Sequence, residues 1–231
     1  MNSQWIDIKT THGETFSGYL SLPPPGNGPG IVLVQEIWGV NEHIRAVADQ
    51  YALDGFVVLA PDIFWRLEQR VDLTYDADGT AKARAFLQKF DTSLAVVDLS
   101  SAIDTLRKLP EVTGKVATLG FCIGGQLAYR TAATGKADLA VAYYGGGIHQ
   151  HLDVADQITQ PILFHYAGLD THIPQIAVTE VKSSFTGRTN ATFFDYPDAD
   201  HGFNCWGRPM YNQQDAALAH GRTLIFLSQH L

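Results

Sequence analysis

Gly120-Phe121-Cys122-Ile123-Gly124-Gly125 sets one thiol between small residues at a fixed spacing. A thiol in that setting has the makings of a nucleophile. When a strand runs directly into a helix through so tight a turn, the residues two before and two after the apex must lack bulk. Gly120 and Gly124 meet that need. The side chain at the apex is then lifted to a helix N-terminus, where the helix dipole favours a developing thiolate or oxyanion. The backbone N–H of Ile123 would face that oxyanion. The same pattern also suits a strand–turn–helix that merely carries a buried free cysteine. It does not suit a phosphate loop, because Lys and Ser/Thr do not follow the glycines.

A nucleophilic thiol needs a base, and the base needs a third group to fix its tautomer. Asp170 in Ala167-Gly168-Leu169-Asp170 and His201 in Asp198-Ala199-Asp200-His201-Gly202-Phe203 each follow a β-branched or aromatic run. Eight other histidines compete. His43, His220 and His230 fall in expected helices and read as solvated surface, His12 as a hairpin turn, and His165 as a satisfied core residue. His149 and His151 form an H-x-H pair, but no further ligand follows at metal spacing, so no metal site is expected. His172 is the serious rival, and its place beside Asp170 suggests a pocket wall. Asp195, Asp198 and Asp200 compete for the acid role, though the last two adjoin His201 too closely to orient its ring easily.

These residues depend on the elements around them. Trp5–Lys9 and Phe16–Leu20 read as a hairpin around His12-Gly13, and Ile31–Val34 and Phe56–Ala60 as buried strands, apolar on both faces. Asn41 caps a helix from about Glu42 to Asp54 that Gly55 stops. Phe64 to Lys89 reads as loop plus one helix, and Asp91 caps a long helix through Lys108. A strand over Lys115–Phe121 leads into a helix from Gly124-Gly125 through Ala133. Strands follow at Leu139–Tyr144, Ile162–Tyr166 and Thr192–Tyr196, with helices at about Pro174–Phe185 and Gln213–His230. In the last, Leu218, Thr223 or Arg222, Leu224 and Leu227 fall roughly at helical spacing. Such alternation implies an α/β fold with a mostly parallel sheet and helices on both faces. Active sites of such sheets lie at the carboxyl ends of strands, where Cys122, Asp170 and His201 all fall. Nucleophile, acid, histidine is also the chain order of α/β-hydrolases.

Composition sets the outer limits. The chain has 231 residues, 45% apolar and 17% charged, which suits a single domain over 1–231 with a filled core. A net charge of −8 without a cationic patch argues against a nucleic-acid partner. Met1 to Leu20 lacks the basic start and apolar run of a secretory signal, and no apolar stretch approaches the roughly 20 residues of a bilayer span. Cys122 and Cys205 do not make a disulfide framework, so a cytoplasmic setting is expected. A disulfide between them would abolish the nucleophile.

Taken together, the cysteine-bearing elbow, Gln35-Glu36-Ile37-Trp38-Gly39-Val40-Asn41, Tyr143-Tyr144-Gly145 and His201-Gly202-Phe203 resemble the dienelactone hydrolase family over essentially the whole chain. The resemblance implies an α/β-hydrolase with carboxymethylenebutenolidase activity, opening a dienelactone of aromatic-compound degradation to maleylacetate without a cofactor. It implies a Cys122–His201–Asp170 triad. It further implies that Glu36 holds the resting thiol protonated and releases it to His201 when substrate arrives, a state resistant to oxidation and alkylation. Ile37 would give the second oxyanion N–H beside Ile123. A bland alternative for Glu36 is a satisfied carboxylate at a strand end.

One part of the family pattern is missing. Dienelactone enzymes are expected to anchor the substrate carboxylate with two arginines, one of them four residues after His201, where Cys205 stands. Arg208 lies three further on. For the other, Lys82 and Arg84 are the candidates. Tyr144, Arg208 and Lys82 are therefore the expected substrate-binding residues, although lysine offers a point charge and no bidentate fork. Cys205 reads as packing or pocket lining. A small lactone or ester is the expected partner, with the chain a monomer or weak homodimer. The alternatives are a carboxylesterase or thioesterase of broad specificity, and a non-catalytic binding protein on the same fold.

Overall fold

The computed structural model describes residues 2–231, so the first residue of the N-terminal stretch read above, Met1, lies outside the described residues. The fold is that of an α/β-hydrolase: eight strands in the order β1-β2-β4-β3-β5-β6-β7-β8 form a mostly parallel sheet with helices on both faces. Contacts cluster into two compact units, one ending at Ala117 and one spanning Thr118–Leu231. No helix among the described residues is long and apolar enough to cross a membrane.

In the first unit, β1 (Asn2–Lys9) and β2 (Thr15–Leu22) form the expected antiparallel hairpin, turning at Gly13 with φ +88. β2 pairs antiparallel with β4 (Val57–Pro61), and β4 pairs parallel with β3 (Gly28–Val34). Ile31, Val32, Leu33, Val34, Val57, Val58, Leu59 and Ala60 are all 0% exposed. Burying one such valine, leucine or isoleucine contributes about 1.5–3 kcal/mol, which is why a continuous apolar run settles between two helical layers. The helices start at side-chain caps. Asn41 accepts from the Ile44 N–H to start α1 (Glu42–Leu53), Asp76 from Gly79 to start α2 (Ala77–Lys89), and Asp91 from Ser93 and Leu94 to start α3 (Thr92–Arg107). α1 turns His43 inward, where it is 5% exposed with its ring 6.5 Å from Tyr75, so the surface reading of His43 is corrected.

The second unit holds the end of β5 (Val112–Phe121), α4 (Ile123–Ala132), and the parallel strands β6 (Leu139–Tyr143), β7 (Ile162–Ala167) and β8 (Ala191–Tyr196). α5 (Gln175–Ser184) connects β7 to β8, and α6 (Gln213–His230) closes the chain. β6 stops one residue short of the expected Tyr144, because Tyr144 leaves the strand with φ +36. A 3₁₀ stretch over Ile148–Gln157, which carries His149 and His151, adds to the expected elements; it has a kink at His151 and no 3.6-residue stripe to announce it. On α6 the buried stripe is Ala216, Ala219, Thr223, Phe226 and Leu227, while Leu218 is 45% exposed. The stripe is rotated from the one the leucines alone suggested.

Candidate active site

Cys122 stands between β5 and α4 with φ 57 and ψ −119, a conformation that side-chain-bearing residues adopt at a cost of about 1–3 kcal/mol. The surrounding backbone holds it there. Its N–H donates to the Tyr143 carbonyl at 3.0 Å, and its own carbonyl accepts from Gly125 and Gln126 at 3.0 and 3.3 Å. The glycines are sterically required, since a Cβ on Gly120 would lie 2.0 Å from the Gly124 oxygen and one on Gly125 would lie 2.7 Å from the Tyr143 oxygen. The thiol is half-buried, and both Cys122 and Cys205 are free.

His201 and Asp170 come together from loops after β8 and β7. His201 Nδ1 donates to Asp170 Oδ2 at 2.7 Å, with the side chains 6% and 1% exposed. The other carboxylate oxygen, Oδ1, accepts the backbone N–H of His172 at 2.7 Å and of Ile173 at 3.1 Å. Asp170 is thereby fixed as an acceptor on both oxygens. With Nδ1 engaged, Nε2 is left for the sulfur. Burial alone would push the His201 imidazole down. Together the charge of Cys122, the hydrogen bonds with Asp170 and Cys122 and the charge of Asp170 outweigh that burial, and the pKa rises to about 10. The ring is held from behind by Tyr144, 5.1 Å away edge-on, and Tyr144 packs on Phe203 at 5.4 Å.

Two of the rival acids have other partners than the His201 ring. Asp200 accepts the backbone N–H of His201 at 2.6 Å, and Asp195 pairs with Lys182 at 2.5 Å. His165 is fully buried between the Tyr196 hydroxyl at 2.7 Å and Thr223 Oγ1 at 3.0 Å. Burial, with the Arg222 charge adding, pushes its pKa down to about 3, so it is a neutral core residue. His172 is exposed, with Nδ1 3.7 Å from Asp170 Oδ1 and its ring 4.8 Å from that of His201. Asp170, His172 and His201 form a group of metal-ligand type among the described residues, and neither His149 nor His151 belongs to it.

The expected substrate-binding residues fare differently. Tyr144 is 0% exposed, which suits it to supporting His201 and not to touching a ligand. Lys82 is exposed and spends its charge on Glu68 at 2.8 Å, lying also over the Phe86 ring. Arg84 lines an open groove of about 510 Å³ together with Tyr75, Asp76 and Thr80. Arg208 lies against Gly202, the residue after His201: a Cβ there would fall 2.2 Å from Arg208 Nη1. Cys205 is buried. In the first unit, Glu36 is 1% exposed just past β3. The segment Glu36–Trp38 leads to Gly39, whose φ is +85 and where a Cβ would meet the Val71 oxygen at 1.9 Å.

The model of the dienelactone hydrolase family matches residues 16–231. The chain belongs to the dienelactone hydrolase family. It is 32% identical over 229 residues to carboxymethylenebutenolidase 1 of Cupriavidus pinatubonensis, covering 99% of this chain and 97% of that one. To the carboxymethylenebutenolidase of Pseudomonas putida it is 33% identical over 229 residues, again with 99% and 97% covered. A crystal structure of a candidate dienelactone hydrolase from Klebsiella pneumoniae superposes with a TM-score of 0.86 at 26% identity, covering 99% of this chain and 100% of that one. The dienelactone hydrolase of Anabaena variabilis, at 15% identity and TM-score 0.73 with 100% and 98% covered, shares the fold. As a member of the dienelactone hydrolase family, the protein is a hydrolase.

Proposed function

We propose that the chain hydrolyses a small lactone, in the manner of dienelactone to maleylacetate, through Cys122, His201 and Asp170. The observation that carries this reading is the buried 2.7 Å His201–Asp170 pair whose imidazole is also hydrogen-bonded to Cys122. His201 takes the thiol proton, and Asp170 fixes the tautomer and stabilises the imidazolium that results. The sulfur adds to the lactone carbonyl, whose oxyanion is met by the Ile123 N–H at the start of α4. The ring C–O bond then breaks, the leaving enolate collects a proton and becomes the ketone, and water on His201 cleaves the thioester. Each step moves one proton and needs no redox partner.

Substrate breadth is the finer question. Lys82 is already paired with Glu68, and Arg208, beside the residue that follows His201, is the cation proposed to meet a substrate carboxylate. That pairing, with Cys205 where an arginine is expected, favours a second reading as a carboxylesterase accepting neutral esters. Turnover of cis- and trans-dienelactone beside 4-nitrophenyl acetate decides between them: a kcat/KM at least 100-fold higher for a dienelactone supports the lactonase, and the reverse order the esterase. Cys122→Ala should abolish both activities with thermal unfolding nearly unchanged, and residual activity above a few per cent would place the nucleophile elsewhere. Arg208→Ala should raise KM far more for acidic than for neutral esters. Equal effects would remove Arg208 from the site.

A further inference from the structure

We infer that Asp170, His172 and His201 form an inhibitory binding site for a divalent transition metal of the Zn²⁺ class. The inhibition, though not the site, rests on the triad reading above. The three side chains offer a carboxylate oxygen and two imidazole nitrogens, all within 4.8 Å of one another. A tetrahedral zinc site has metal–ligand bonds of about 2.0–2.2 Å, which places neighbouring ligand atoms roughly 3.3 Å apart. Two spacings to the carboxylate, made to its two different oxygens, lie near that value: His201 Nδ1 to Asp170 Oδ2 is 2.7 Å, and His172 Nδ1 to Asp170 Oδ1 is 3.7 Å.

The third closes by rotation of one side chain. His172 is 67% exposed, so its ring is free to swing, and it stands on the solvent side as an entry path. Asp170 does not move, since the His172 and Ile173 N–H groups hold its carboxylate. A carboxylate with two imidazoles suits Zn²⁺, Cu²⁺ or Ni²⁺ much better than Mg²⁺ or Ca²⁺, which take oxygen ligands. The incoming cation takes the lone pair of His201 Nδ1, and the single proton of the neutral ring moves from Nδ1 to Nε2. With Nε2 protonated and the ring fixed, His201 has no lone pair left to accept the proton of Cys122.

His172 is the ligand that distinguishes this site from simple attack of metal on the thiol. Calorimetric titration of the full chain with ZnCl₂ should show one ion per chain, at least ten-fold weaker for His172→Asn and retained in Cys122→Ala. Hydrolysis of 4-nitrophenyl acetate should be inhibited by ZnCl₂, restored by EDTA, and at least ten-fold less sensitive to ZnCl₂ in His172→Asn, each protein being compared with its own metal-free rate. Equal zinc affinity in wild type and His172→Asn overturns the site, as does its loss in Cys122→Ala, which would put the metal on sulfur. Zinc bound through His172 without inhibition keeps the site and counts against catalysis by His201. Hydrolysis abolished by Cys122→Ala, with no His172-dependent zinc binding, keeps the catalysis and overturns the site.

Discussion

Cys122 bears two costs at once: a left-handed backbone, φ 57, and a half-buried sulfur beside a buried imidazole. Glycine at this position would relieve the first and remove the chemistry. Cys122→Gly should therefore raise stability by about 1 kcal/mol in urea unfolding while abolishing hydrolysis. A loss of stability would mean that the turn imposes no strain. The second cost shows in His201, whose folded-state pKa lies near 10 because of the sulfur and Asp170. A raised histidine stabilises the fold fully below its unfolded value near 6.5, and that contribution disappears as pH rises through about 10. Wild type should accordingly lose more thermal stability than His201→Gln between pH 7 and pH 10. In Cys122→Ser, without the sulfur's charge, the His201 ring should titrate at lower pH by NMR. An unchanged midpoint would show that the thiol does not charge in the folded protein.

At the scale of elements, the loops that bear His201 and Tyr144 rest on a buried polar cluster linking β6, β7, β8 and α6. Thr223 on α6 is its hub, 2.6 Å from the Tyr143 hydroxyl and 3.0 Å from His165 Nε2. His165 reaches on to Tyr196 at 2.7 Å, and Phe203 covers Tyr196 with ring centroids 4.9 Å apart. Thr223→Val keeps the volume and strands both partners. It should cost about 1–3 kcal/mol per orphaned group by chemical denaturation. A change under 0.5 kcal/mol would show that the cluster re-forms without the hydroxyl. α6 is thus held by hydrogen bonds as well as by its apolar stripe, which explains why that stripe carries a threonine in its middle.

For the molecule as a whole, the same cluster governs acid behaviour. His165 is held neutral, its pKa pushed down to about 3 by burial first and the Arg222 charge second. A depressed histidine gives stability that is present above about pH 6.5 and lost as pH falls toward 3, because the unfolded chain binds the proton first. Stability should fall from pH 7 to pH 4, and His165→Asn, though less stable at neutral pH, should show a flatter acid limb. Equal slopes would place the acid sensitivity in other groups. The net charge of −8 adds no such specificity; it bears on solubility.

Much of this could be read along the chain. Glycine spacing around Cys122, the caps Asn41 and Asp91, and the apolar runs of β3 and β4 are local signals, and the steric or hydrogen-bond rule behind each acts within a few residues. The chain order of Cys122, Asp170 and His201 likewise follows from motifs placed at strand ends. What the residues could not reveal depends on partners far away in sequence. His43 turns inward because α1 rotates that face to the core. Lys82 is drawn to Glu68 across 14 residues, and Tyr144 sits beneath His201 after leaving β6. The approach of His172 to His201, at 4.8 Å between rings, is of the same kind. Local spacing determines where the backbone turns and which residues reach the strand ends; which side chains then meet depends on helix rotation and loop path, and those follow from the packing of the whole core.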